Sequence, residues 1–553
     1  MTTTHAPAPD ELHDTDVLII GGGPAGLALA VELGMQKIPC ILAERHDRIG
    51  LAPRAKTCNV RTRELFRRWE IADRLAALAP FGVNFPSNVV FATRLGGFEL
   101  HRFSNAFNCS PARDDRFCEH AQWIPQYKVE AVLKEKASEQ TSVEISLGTE
   151  LVDFVDHGTH VVATVRHVQT GQCRHIRAKY IVGADGARST VREKLGIKMH
   201  GVSPLSQNHN IIFRAPGLAH RHQLGPAVMY WLLNEEVPSV VAPLDANDLW
   251  TFGCPKLAEG SFEPEALIRK ALGFSCEIEI LSRDQWTAHQ LIAERYSQGR
   301  AFLIGDACHL HPPFGGYGMN MGIGDALDLG WKLSAILSGW GGANLLSSYE
   351  IERRQVHQRV VDEAVANHAF TSKQLVVAHI EENSPAGEQT RAAVGAKIAE
   401  TKHREFHSLG VVLGARYRHS PVLAFDPLAQ PDPGDAGDYT PLAWPGCLAP
   451  HAWLSTGTEK GASLYDLFAT DGLTLLQTHA GDDPMRESFL AAAKALGIPV
   501  RLVAPQNLQL QSLYGCRYAL IRPDQYIAWC GNDLSAAQDA LTLICGASTQ
   551  GVA

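Results

Sequence analysis

The chain has 553 residues, with 50 Lys and Arg against 59 Asp and Glu for a formal net charge of −9. That length exceeds a single compact core and predicts two or three domains. The acidic balance excludes the basic footprint that nucleic acid or anionic lipid requires, and leaves small organic molecules as substrates.

Residues 1 to 15 lack both the basic start and the apolar core of a signal peptide. No stretch approaches the roughly 18 apolar residues of a membrane span, so a soluble cytoplasmic protein is expected. Val17-Leu-Ile-Ile20 then reads as a buried parallel strand, and Pro24 to Gly34 as a helix through Leu27, Val31 and Leu33. With the strand Cys40 to Glu44 they make a βαβ unit. Its turn, Gly21-Gly-Gly-Pro-Ala-Gly26, is a dinucleotide fingerprint. Gly21 permits the tight turn, Gly23 the approach of a pyrophosphate, and Gly26 the packing of helix on strand. Glu44 stands where it would accept a hydrogen bond from an adenosine ribose, and its charge argues against a 2′-phosphate.

The middle of the chain is β-like. Val143 to Leu151, Val161 to Val165 and His175 to Val182 read as a meander returning at Gly183-Ala-Asp185. Ile211 to Phe213, Val228 to Leu233 and Leu249 to Phe252 read as strands of a sheet with one covered face. That sheet is the expected substrate domain, with Phe213, Tyr230, Trp231, Trp250, Phe252 and Phe314 as candidate walls.

Farther on, Ala301-Phe-Leu-Ile304 delivers Gly305 and Asp306 to a loop, where Asp306 is placed to accept hydrogen bonds from polyol hydroxyls. The loop His311-Pro-Pro-Phe-Gly-Gly-Tyr-Gly-Met-Asn320 feeds a helix from Met321 to Ser338, whose first N–H groups would stabilise the negative edge of a reduced flavin. A fingerprint for one end of a dinucleotide and a second site for the other point to FAD. Ser347 to His368 is a further helix, and the Pro/Gly/Asp-rich stretch from Asp426 to Pro445 marks a boundary. Strands at Leu473 to Leu476, Val500 to Val503, Tyr518 to Ile521 and Tyr526 to Trp529 follow. The 12 cysteines are scattered singly with no zinc-like spacing; they read as core residues or free thiols, and no metal is expected.

Three blocks carry a resemblance: Gly21 to Gly26; Gly183-Ala-Asp-Gly-Ala-Arg-Ser-Thr-Val-Arg192; and Gly305-Asp-Ala-Cys-His309 with Pro312 to Asn320 and Asp325 to Lys332. In this order and spacing, across residues 15 to about 365, the chain resembles the class A flavoprotein aromatic hydroxylases, the family of p-hydroxybenzoate and phenol hydroxylases. From about Gly446, including Arg522 to Trp529, it resembles the thioredoxin-like domain of the phenol and polyketide hydroxylase branch. No Cys pair accompanies that domain, so dithiol exchange is unsupported and a packing or dimer role is expected.

The resemblance implies an α/β fold: a Rossmann-like FAD-binding domain (15–85, 120–200 and 290–365) and an inserted β-sheet substrate domain (86–119 and 201–289). A helical linker (366–440) and a C-terminal thioredoxin-like α/β domain (441–553) would follow. It implies hydroxylation of a phenolic ring by O2 through a flavin C4a-hydroperoxide, with NAD(P)H as transient electron donor, in a homodimer. Carried over by motif, the cofactor set is Gly21, Gly23, Gly26, Glu44, Arg45, Arg54, Gln126, Asp185, Arg188, Gly305, Asp306, Pro313, Gly316, Gly318, Met319 and Asn320. Arg188 and Arg192 would bind pyrophosphate or pair locally with Asp185 or Glu193. The catalytic candidates are Pro313, His311 and Tyr317, while His309 reads as a base or a structural histidine. Tyr317 and Gln355 depart from the family pattern, which more often has glutamine and proline there. Two other readings stay open from the residues alone: a flavin dehydrogenase or reductase, and a non-catalytic flavin protein that binds aromatic compounds.

Overall fold

In a computed structural model the described residues are 12–47, 55–256, 263–369, 375–424, 434, 436–457, 460–506 and 509–547. Three large sheets organise them, beside a two-stranded one that pairs Thr57–Cys58 with Gln122–Trp123. In the first, Leu12–Ile20 lies between Cys40–Glu44 and Cys173–Gly183, all parallel, with Val143–Leu147 and Ala301–Leu303 extending the two sides. Val17 to Ile20 are buried because helices and strands cover both faces, which is why this strand reads as a continuous apolar run. The register Ile20↔Ala43, Ile20↔Gly183 and Gly183↔Leu303 ends these strands along one edge. Gly21, Glu44, Asp185 and Gly305 therefore lie side by side at the carboxyl ends of parallel strands, where open α/β sheets bind ligands.

The expected strand Val143 to Leu151 divides at Gly148, whose φ of +63° turns the chain. Val143–Leu147 stays in the parallel sheet, while Thr149–Asp156 leaves it to pair with Val161–His167.

The second sheet has the strand order His309–Leu310, Glu279–Ala293, Met199–Arg214, Leu249–Pro255, Ser239–Pro243, Met229–Leu232, Val89–Ala92, Glu99–Phe103. Glu279–Ala293 escapes a sequence reading because polar residues make up much of it and only Ala288 and Ala293 are buried. The alternation of the central strands divides the aromatic residues between two faces. Phe213, Tyr230, Trp250 and Phe252 join Ile268, Ala271 and Leu272 of the helix Pro264–Leu272 in one buried cluster. Phe91 and Trp231 point to the opposite face, which the helix Pro385–Phe406 closes through Phe406. That 22-residue helix lies in the stretch expected to be a linker. It approaches the strand Glu99–Phe103 so closely that a Cβ at Gly395 would lie 2.3 Å from the Leu100 carbonyl oxygen.

The third sheet runs Val500–Val503, Leu473–Gln477, Tyr518–Ile521, Ile527–Gly531, its first pair parallel and the others antiparallel. Phe489 and Ala493 of the helix Met485–Ala495 are buried with Leu541 and Ile544 of the helix Leu534–Ile544 and with Leu473 and Leu475 of the sheet. Of the expected boundary from Asp426 to Pro445, residues 426–433 and 435 lie outside the described residues. Among the described residues no helix is long and apolar enough to cross a membrane.

Candidate active site

The fingerprint turn is built by close contacts that only glycine allows. Gly21 has a φ of +109°, and a Cβ there would lie 2.4 Å from the Ala184 carbonyl oxygen. At Gly26 a Cβ would lie 2.0 Å from the Gly21 carbonyl oxygen, so the helix Pro24–Met35 can start this close to the strand only with glycine. Gly23 differs: nothing of the protein lies within 4 Å of where its Cβ would be. The space beside it is open, as a pyrophosphate requires.

Both oxygens of Glu44 accept backbone hydrogen bonds, from Gly22 N–H at 2.6 Å and His46 N–H at 2.8 Å. The carboxylate is thereby fixed at the strand end with lone pairs remaining for a ribose hydroxyl. Arg45 is exposed and donates to His46 Nε2. Asp185 Oδ2 accepts from the N–H groups of Thr190 and Val191, while its Oδ1 is buried with no partner in the protein. Burial pushes this carboxyl above its usual range.

Arg192 forms neither of the local ion pairs considered for it, with Asp185 or Glu193. It donates to the carbonyls of Ala187 and Ala307, tying the Asp185 turn to the Gly305 loop. Arg188 is exposed on that turn. Gln126 clasps Ala55 by two bonds, its Oε1 accepting from Ala55 N–H and its own N–H donating to Ala55 O. Arg54 lies outside the described residues.

Gly305 has a φ of +60° and meets the first turn of the opening helix: Cβ atoms there and at Gly322 would each lie 3.2 Å from Ala25 Cβ. The helices Pro24–Met35 and Gly318–Leu337 thus converge at their N-termini, and neither has a side-chain cap. Uncapped N–H groups of two helices at one edge form a site for negative charge. Gly318 and Met319 belong to the first turn of the second helix, and Asp306 is exposed beside it. Asn320 holds the preceding loop, accepting from Asn59 N–H and donating to the carbonyls of Thr57 and Gly316.

Beneath the loop lies a hub that the sequence reading missed. Asp325, wholly buried, accepts from Gly305 N–H, His309 Nε2, His357 Nε2 and Arg353 Nε at 2.8 to 3.0 Å. Burial alone would raise its pKa, but His357, Arg353 and His309 hold it well below the usual range. His357 is kept neutral chiefly by burial, its pKa lowered to about 3, and its Nδ1 lies 2.8 Å from the Tyr296 hydroxyl. His309 is therefore a structural residue. Cys308, His309 and Asp325 place ligand atoms within 4.8 Å of one another. The Arg353 guanidinium on the same carboxylate makes this a poor place for a cation.

The catalytic candidates separate. Tyr317 is buried among Val360, Ala364, Val411 and Ala436, where its ring packs rather than meets substrate, and burial pushes its phenol up. Pro313 is exposed and its carbonyl accepts from Gly316 N–H in a turn. His311 pairs Nδ1 with the Pro312 carbonyl at 2.9 Å, while its Nε2 is buried without a partner. Burial lowers its pKa to about 4, so at neutral pH Nδ1–H donates and Nε2 is left as an acceptor.

The wall candidates separate likewise. Trp231 and Phe314 are half-buried and face each other with ring centroids 5.9 Å apart. Phe91 stacks on Trp231, and the buried Lys402 ammonium stands 5.7 and 5.4 Å from the Trp231 and Phe314 rings. Phe213, Tyr230, Trp250 and Phe252 lie under the helix Pro264–Leu272 on the other side of the sheet, where the pleat directs alternate side chains; they form core, not wall.

The open space at Gly23, the orphaned Asp185 oxygen and the two uncapped helix ends fit FAD. A family model described as FAD binding domain matches residues 14–364, and one described as aromatic-ring hydroxylase, C-terminal, matches residues 442–548. Aklavinone 12-hydroxylase RdmE of Streptomyces purpurascens is 33% identical over 96% of this chain and 98% of its own length. The 2,4-dichlorophenol 6-monooxygenase of Delftia acidovorans is 30% identical over 93% of this chain and 94% of its own. The solved structure of the rebeccamycin biosynthetic enzyme RebC with reduced flavin superposes with a TM-score of 0.89 at 33% identity, covering 98% of this chain and 100% of that one.

Proposed function

The chain belongs to the FAD-dependent aromatic-ring hydroxylases, flavoprotein monooxygenases of aromatic substrates, and from that premise we propose that it hydroxylates a phenolic ring bound beside the Trp231–Phe314 pair. FAD supplies the redox chemistry when bound, reacting with O2 after reduction by NAD(P)H. The chain's own residues bind, orient and exclude water.

Gly23 and Glu44 would hold the adenosine end of FAD and the N-terminus of Gly318–Leu337 its isoalloxazine end, with Asp185 and Asp306 as acceptors for its hydroxyls. Arg192 and Asn320 position the loops that carry these groups. The helix cap stabilises negative charge on the reduced ring without reorganisation. The substrate ring lies against Trp231 and Phe314, with Phe91 stacked behind Trp231, and these rings keep water from the reacting carbon. Its hydroxyl meets the exposed Pro313 carbonyl or the free Nε2 of His311. Of the catalytic candidates, His311 and Tyr317 each keep a buried polar atom without a partner, and His311 is the one whose other ring nitrogen is already fixed, on the Pro312 carbonyl.

The observation that carries the reading is the alignment of Gly21, Asp185 and Gly305 along one sheet edge beside two uncapped helices. The test supplies a panel of phenols, catechols and fused-ring phenolic polyketides with NAD(P)H and 18O2. One labelled oxygen per hydroxylated product supports the reading. Substrate oxidation without label would identify a dehydrogenase instead.

A further inference from the structure

The C-terminal sheet brings together two thiols that the sequence keeps apart. Cys516 lies on the bend before the strand Tyr518–Ile521, and Cys530 lies within the neighbouring antiparallel strand Ile527–Gly531. The register Tyr518↔Gly531 and Ala519↔Cys530 carries the bend back past Cys530, and the two side chains hydrogen-bond to each other. Both pack on the cluster that contains Ala519, Ile521 and Ile527. Both are half-buried, so a small reagent reaches them, whereas eight of the chain's cysteines are buried.

We propose that Cys516 and Cys530 are a peroxide-oxidised dithiol that closes reversibly to a disulfide. The two sulfurs are unequal. The contact with Cys530 lowers the Cys516 thiol against the opposing effect of burial, although its Sγ also donates to the Tyr518 carbonyl at 3.2 Å, while the same contact and burial hold the proton on Cys530, whose Sγ lies 3.7 Å from the Ala443 carbonyl. Cys516 is then the attacking sulfur and Cys530 the resolving one. In the first step the Cys516 thiolate attacks hydrogen peroxide. An S–O bond forms, the O–O bond breaks, and hydroxide leaves and is protonated to water. In the second step Cys530 sulfur attacks Cys516 sulfur; the S–S bond forms, the S–O bond breaks and a second water leaves. Two thiols lose two electrons and two protons, and one peroxide becomes two waters. Cys516 sits on a bend rather than in the ladder, which lets its sulfur close on Cys530 without breaking strand pairs.

Hydrogen peroxide is the product of a reduced flavin that meets O2 without a substrate to hydroxylate. That choice of source rests on the proposed function, but the dithiol does not, and adding peroxide directly separates the two.

The flavin-loaded protein is treated with hydrogen peroxide, quenched with an alkylating agent, digested and mapped by mass spectrometry. The expected result is one cross-linked peptide joining Cys516 to Cys530, a loss of two alkylatable thiols, and their return with dithiothreitol. In Cys516→Ser the cross-link is absent and Cys530 stays alkylatable. In Cys530→Ser, Cys516 accumulates as a dimedone-reactive sulfenic acid. The proposal is overturned if Cys516 and Cys530 remain alkylatable after peroxide has oxidised Cys173 and Cys276, the other cysteines open to solvent. It is equally overturned if Cys530 oxidises in Cys516→Ser as fast as in the unaltered protein. Unchanged flavin absorbance in each variant shows that the fold is intact.

Discussion

Arg522 forks onto Glu352, Nη1 to Oε1 at 2.6 Å and Nη2 to Oε2 at 2.9 Å, joining the C-terminal sheet to the long helix Ala343–Ala369 behind the flavin site. Lys332 donates to the same Glu352 and to Asp328, and Arg522 also reaches Asp328 and Asp524. Two cations thus serve three buried carboxylates. Against the burial penalty, Arg522 and Lys332 hold Glu352 down to about 2, whereas burial carries Asp328 up to about 7. Removing Arg522 would leave the carboxylates uncompensated. Arg522→Leu is expected to cost about 3–5 kcal/mol, measured by urea unfolding. A loss under about 1 kcal/mol would show that the cluster does not hold the C-terminal domain in place.

The two outer fingerprint glycines should fail differently from the middle one. Gly26→Ala puts a Cβ 2.0 Å from a carbonyl oxygen and is expected to lower the unfolding temperature of the flavin-free protein. Gly23→Val meets open space, so the flavin-free protein should melt as the unaltered one does while FAD binding is lost. Calorimetry of the two apo-proteins beside FAD titration distinguishes them. Equal destabilisation by both would mean that the space at Gly23 is not a ligand's.

Through its buried histidines, acid should act on the fold before carboxylates of ordinary pKa protonate. Burial lowers His120, His222, His311 and His451 to about 4 and His357 to about 3. A histidine with a folded pKa below its unfolded value of about 6.5 takes up its proton only on unfolding. The histidine contribution is therefore whole above about pH 6.5 and falls as pH drops toward 4, by up to about 1.4 kcal/mol per pH unit for each histidine, and is offset in part by Asp328 and Glu64, whose carboxyls, raised to about 7 by burial, take up a proton more readily in the folded state. Asp325, held low, adds its own loss only below about 3.8. His222, with both ring nitrogens unpartnered beside Tyr230, is the one to replace. His222→Phe should shallow the slope by about one proton in urea midpoints from pH 8 to 5. An unchanged slope would place its proton on the folded state.

Trp231 and Phe252 lie on opposite faces of one sheet and should separate specificity from stability. Phe252→Ala opens the core and is expected to cost about 3–5 kcal/mol. Phe314→Leu and Trp231→Phe should keep the melting temperature and change KM or the preferred phenol. Loss of stability without a change in substrate preference would remove the Trp231 face from the substrate site.

Much of this was legible in local order. Val17 to Ile20, the glycine turn and Glu44 announce themselves because a parallel strand buried on both faces must be apolar and the turn must be glycine. What escaped was settled at long range. Nothing in the sequence says that Arg192 reaches across to Ala307, that Asp325 gathers His309, His357 and Arg353, or that Cys516 lies beside Cys530. The wall assignment went astray at a simpler point: Tyr230 and Trp231 are neighbours in sequence, so the pleat sends them to opposite faces. The face was decided by the helix Pro385–Phe406, whose weak pattern hid it.

The central claim is that one FAD spans the Gly23 turn and the Gly305–Asp306 loop. Flavin stoichiometry measured by absorbance on the purified protein, on Gly23→Val and on Asp306→Ala tests it most directly. The account predicts one FAD per chain for the unaltered protein, none retained by Gly23→Val, and weakened retention in Asp306→Ala. A protein that stays colourless after incubation with excess FAD, or two variants that hold flavin as tightly as the original, would contradict it.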